Sequence, residues 1–208
     1  MSDYDRITQL NQENSPLLQL PAELRNRIYK FVLHDHRPVY VDIPALGDEH
    51  GNFVPRDNTR GNLALLYTCR QVHSEASMMY FALNTFQFEL DTSLIEFTSS
   101  LTADQLNAVK SIDMTGELVE EIEMRAEHHA SDSPRLHLDT LISLQKVSIY
   151  PYAFRSRPIH LDAIGVYLRE ATGRMGLEVI EVKRKQKLTQ ASCNRVRDLM
   201  RSHVAGRP

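Results

Sequence analysis

The sequence predicts an α/β protein, with α+β as the alternative: a helical N-terminal part followed by a strand–helix layer. Three observations lead there. Segments 20–33 and 63–83 carry apolar residues at spacings of three and four, the helical period. Three runs in the second half, 106–114, 141–150 and 175–183, resemble one another and are separated by helix-compatible stretches. Aligning Ala108–Ile112 with Ser143–Val147 gives an offset of 35 residues, and Leu144 to Leu177 adds 33.

Taken in order, residues 1–15 read as a mobile, polar tail. "LPAELRNRIYKFVL" then opens a helix. Pro21 suits its first turn because the missing N–H would lack a partner there, and Glu23 suits the positive end of the dipole. Leu24, Ile28, Phe31 and Val32 form its apolar stripe, with Arg25, Arg27 and Lys30 off it. That stripe is either the inner face of a core helix or a face offered to a partner. Within the inserted segment 38–62, "VYVDI" alternates as a short strand and "ALGDEHGNF" is rich in turn residues. A long helix is expected from about Asn62 to Leu83, through Leu66, Cys69, Val72, Ala76 and Tyr80, with Asn84 as a left-handed stop. "TFQFEL" reads as a strand, and Asp91 or Thr92 can cap a short helix after it. Strands in the three similar runs, joined by helices over 117–130 and 160–172, make a short, irregular leucine-rich-repeat-like layer. Such repeats are ordinarily shorter, roughly 20 to 29 residues. A basic helix over 188–202 closes the chain. The division is therefore 1–15, a tail; 16–90, a helical module; and 91–208, a repeat-like region packed with it as one unit.

Composition narrows the function. With 208 residues and 42% hydrophobic content the chain can bury a core. The net charge of −3 argues against a surface made wholly for nucleic acid. Charge is uneven all the same: residues 113–132 hold seven acids against Arg125, and residues 174–208 hold nine bases against three acids. The basic set includes Lys183, Arg184, Lys185, Lys187, Arg195 and Arg197. Two solvated faces account for this pattern, and a basic docking surface is the competing reading. No apolar run approaches the roughly 18 residues that span a bilayer, and the start has no apolar signal core. An intracellular protein, cytoplasmic or nuclear and with no membrane partner, is expected.

Chemistry is harder to find. There is no G-x-S-x-G elbow. Cys69 with His73 four residues on reads as a helical neighbour pair with a buried thiol, and the two cysteines imply no disulfide framework. His34 and His36, and His128 and His129, lack any spacing that dictates a metal shell, so no metal and no cofactor is expected. Phosphate-binding glycine loops are absent. "KRKQK" at 183–187 matches a loose nuclear-import or nucleic-acid pattern. Tyr152 and Phe154 beside Arg155 and Arg157 could stack bases, or fold against a sheet edge. The expectation is a protein that is not an enzyme.

The two helices carry a resemblance. "SPLLQLPAELRNRIYKFVL", then "LALLYTCRQVHSEASMMYFALNTFQF", resembles the fungal family of F-box-like proteins. There, an L-P-x-E-[IL]-R-x-x-I-[YW] helix precedes an L-x-x-[TV]-C-[RK]-Q helix and an N-x-F strand. It is similar also to the related two-EXR group, whose first motif matches Glu23-Leu24-Arg25. The resemblance covers residues 15–90. It implies a helix that docks on the small adaptor subunit of an SCF-type ubiquitin ligase, followed by a domain that holds an unknown substrate. Leu20 and Pro21 would seat the helix start; Leu24, Ile28 and Val32 would pack on the adaptor, helped by Cys69 and Val72. The alternative is a nucleic-acid or chromatin-associated protein that uses the basic C-terminal segment.

Overall fold

The computed structural model describes residues 3–41, 63–128, 136–151 and 158–182. Along them run α1 (Asp3–Asn14), α2 (Ala22–Leu33), β1 (Val39–Val41), a 3-10 turn at Ala64–Tyr67, α3 (Arg70–Leu83), β2 (Thr85–Phe88), α4 (Asp91–Ser100) and α5 (Ala103–Ala108). Then follow β3 (Ser111–Thr115), α6 (Gly116–His128), a second 3-10 turn at Leu138–Thr140, β4 (Lys146–Tyr150), α7 (Leu161–Thr172) and β5 (Glu178–Glu181).

The five strands form one sheet, all parallel, in the order β1-β2-β3-β4-β5. Each strand lies beside its predecessor in the chain, and the helices return the chain between strands. The fold is α/β. Alternation along the strands explains the layering. Val39, Phe86, Ile112 and Val147 stand in one lateral row, with Val41, Phe88, Met114 and Ile149 two residues on, and all eight are buried. Helices cover this apolar face: the Phe97 ring of α4 lies 4.9 Å from that of Phe86 and 5.2 Å from that of Phe88. Leu118 and Ile122 of α6 and Ile164 and Leu168 of α7 complete the same core. The opposite face is polar, with Tyr40, Gln87, Asp113 and Ser148 side by side. The repeat read from the sequence matches the strand register between β3 and β4 and misses that between β4 and β5 by one residue. Ile112 pairs with Val147, and Val147 with Val179, offsets of 35 and 32 residues.

A second, smaller core belongs to the N-terminal helices: Leu18, Tyr29, Leu33, Leu66, Val72 and Ala76. Leu63 packs against both cores. Two glycines do conformational work. Gly116, at φ 60, turns β3 directly into α6, and Gly173, at φ 67, ends α7.

Four expectations need revision. The stretch 1–15 read as a tail is largely helix α1, held to α3 by Arg70 over the Tyr4 ring (4.6 Å) and by Gln12 donating to Gln71 (3.0 Å). The helix expected from Asn62 to Leu83 is broken. Cys69 is extended between the 3-10 turn and α3, and the Thr68 hydroxyl donates to the Leu65 carbonyl to close that turn. Asn84 is not left-handed; it is extended and buried. Its amide donates to the carbonyls of Leu33 and Tyr80, and its oxygen accepts from the Asp35 N–H. Finally, no sheet boundary falls at residue 90: β1 and β2 belong to the sheet of the second half.

Candidate functional site

Helix α2 has two unlike faces. Arg25, Tyr29 and Leu33, four residues apart, turn toward α3. Tyr29 and Leu33 are fully buried in the smaller core. Leu24, Ile28 and Phe31 lie on the other side, 42%, 37% and 86% exposed. The expected stripe thus splits: its three exposed members face outward, and Val32 is half-buried. Arg25, set aside as polar by its residue type, is on the packed face.

An ionic clasp holds that face. The Arg25 guanidinium donates to both carboxylate oxygens of Glu75 on α3, at 2.6 and 2.9 Å, and to the Leu20 carbonyl at 2.7 Å. The Tyr29 hydroxyl and the Gln71 amide also donate to Glu75, at 3.0 and 2.9 Å. These bonds, Arg25 foremost, hold the Glu75 carboxyl down at about 2 although burial acts the other way. Burial first, then the hydrogen bond to Glu75 and its charge, push the Tyr29 hydroxyl up to about 12. The motif residues Arg25 and Tyr29, with Glu75 beyond the second motif, therefore fix α2 on α3, and Asn84 pins the end of α2 to the start of β2.

Of the residues named for partner binding, Leu24 and Ile28 are exposed, Pro21 is exposed at the N-cap, and Leu20 and Val32 are half-buried. Cys69 is half-buried at the N-cap of α3, and Val72 is core, packed with Tyr29 and Ala76. The structure brings Leu24 and Ile28 together on one helix and places Val72 inside. Phe31, left out of the partner-binding set, is the most exposed apolar side chain of α2. Its signal was present in the sequence: it follows Leu24 and Ile28 at helical spacing. Lys183, Arg184, Lys185, Lys187, Arg195 and Arg197, and the aromatic cluster at 152–157, lie outside the described residues.

Several groupings with chemical potential have structural explanations. The His73 Nδ1 meets the Leu66 carbonyl at 3.2 Å. His34 and His36 stack edge to face at 5.0 Å. Ligand atoms of Glu123, Glu127 and His160 lie within 4.8 Å of one another. The buried Glu123 carboxylate, however, accepts the backbone N–H of His160, at 3.1 Å, and so anchors the residue at which α7 begins. Asp113, on the polar sheet face, is 2% exposed. Burial raises its pKa, opposed by hydrogen bonds from Ser148 and Tyr150 and by the Lys146 charge. Among the described residues no helix is long and apolar enough to cross a membrane.

With this geometry in hand, comparison with known proteins adds one likeness. Residues 46–140 match a family described as a domain of unknown function, DUF7730. The matched stretch runs through α3, β2 and β3 to the second 3-10 turn and takes in Glu75 and Asn84. No curated protein and no solved structure matches the chain.

Proposed function

We propose that this protein is a non-catalytic interaction subunit. In this reading α2 docks on the adaptor of an SCF-type ubiquitin ligase, and the strand–helix half presents a surface to a substrate. The observation that carries the proposal is the outward row Leu24, Ile28 and Phe31 on a helix clamped from behind. A core helix would turn these side chains inward; here the packed face is satisfied by Tyr29, Leu33 and the Arg25–Glu75 pair. Amphipathic helices recognised in grooves present anchors at such spacings, and a few buried anchors supply most of the binding energy. The F-box-like motif is a separate support, since its Leu24 and Ile28 are the positions expected at the adaptor.

The test is co-purification of the tagged protein with the SCF adaptor, beside a Leu24→Asp, Ile28→Asp double variant. The wild type should bring the adaptor down and the variant should not, while circular dichroism shows the variant folded. Failure of the wild type to bind the adaptor sinks the ligase role.

A further inference from the structure

Between the second 3-10 turn and α7 lies a cavity of about 360 Å³. Its chemistry is graded. Leu136 and Leu138, both buried, supply apolar wall, and Ala171 of α7 adds a small side chain that leaves the space open. Tyr167 contributes an aromatic side, its hydroxyl hydrogen-bonded to Arg125. Asp139 and Glu170 also line the cavity and are exposed. Among the described residues neither carboxylate has an ion-pair or hydrogen-bond partner.

We propose that this cavity receives a lysine or arginine side chain of a protein partner. The proposal deepens the substrate-holding reading of the strand–helix half and rests on it. A basic side chain is a methylene stem with a charged head, and the cavity offers the complement of each part. Leucine and alanine carbons suit the stem, and the tyrosine ring can face the cation. The two carboxylates can take charge-assisted hydrogen bonds from the head. The volume sits near the lower end of ligand pockets, roughly 300 to 1,000 Å³, which fits one side chain rather than a large cofactor. An acidic side chain would meet the like charges of Asp139 and Glu170, with His137 the one lining group able to answer it, and is disfavoured. Nearby Arg125 does not compete as a resident cation: Glu121, at 2.8 Å, and Asp91, at 3.7 Å, hold its guanidinium.

An NMR titration of the full chain tests this, with Nα-acetyl-arginine amide and Nα-acetyl-lysine amide as probes and Nα-acetyl-glutamine amide as the neutral control. The basic probes should give saturable shifts at amides of residues 136–141 and 167–172, and the neutral one should not. An Asp139→Asn, Glu170→Gln variant should bind at least about tenfold more weakly, with its other resonances in place. Ala171→Leu, which fills the space, should lose the shifts with both charges intact. The inference is overturned by no saturable shift at those amides, by equal response to the glutamine probe, or by unchanged binding in the charge variant. The adaptor experiment alters no residue of this cavity. Adaptor capture without probe binding therefore removes only the cavity's role, and probe binding without adaptor capture removes only the ligase role.

Discussion

Glu75 gathers three side chains, Arg25, Tyr29 and Gln71, onto one carboxylate, and its titration is a stability statement. Its folded pKa, about 2, lies below the ordinary 4.5. The stabilisation is thus complete above 4.5 and disappears as pH falls toward 2. Glu75→Gln should lower stability by about 2 kcal/mol at neutral pH, and the deficit should shrink across that acid window in denaturant titrations. Asp113 has the opposite sign. Its folded pKa is raised by burial, so it costs stability as pH rises through that value. Asp113→Asn should melt no lower than wild type at neutral pH, and any advantage should vanish in acid. These residues were only partly legible in the sequence. The motif drew attention to Arg25, but its partner stands 50 residues away, and no local pattern pairs them. Asn84 showed itself as a helix stop, which it is; that its side chain would do the capping depends on α2 being packed alongside.

At the scale of elements, α2 shows why a hydrophobic period finds a helix more readily than its buried side. Leu24, Ile28 and Phe31 make the more continuous apolar row, yet Tyr29 and Leu33 are the ones enclosed. Period gives spacing, and only the neighbouring helix decides which row is covered. The faces can be told apart by mutation. Leu33→Ala should cost about 2–5 kcal/mol by leaving a cavity, whereas Leu24→Asp with Ile28→Asp should leave the thermal midpoint within a few degrees of wild type. A collapse of that double variant in thermal melts would mean the outer row is core after all. Helices α6 and α7 were legible nearly to their ends, because Glu117–Ala130 and His160–Thr172 combine strong period with acidic first turns. Helix α1 was not: it buries none of its residues, so its stripe gave little sign of a partner.

For the molecule as a whole, β3, β4 and β5 were readable because each repeats the same alternation. That β1 and β2 join them was not. β1 is only three residues long, and Val39 meets Phe86 across 47 positions of chain. This long-range pairing ties the N-terminal helices to the repeat-like half. Leu63 and Asn84 strengthen the tie, so the two cores should melt in one transition. Phe97→Ala, deep beneath Phe86 and Phe88, should cost about 3–5 kcal/mol and lower fluorescence and circular dichroism midpoints together; separate midpoints would show two independent units. The strand order carries a consequence for descent as well. Because each described strand sits next to the one before it, gain or loss of a strand–helix segment at the end of the sheet leaves the remaining pairings among the described strands whole. Relatives of this chain are then expected to differ in length by whole strand–helix segments, while the α2–α3 clasp keeps its spacing to β2.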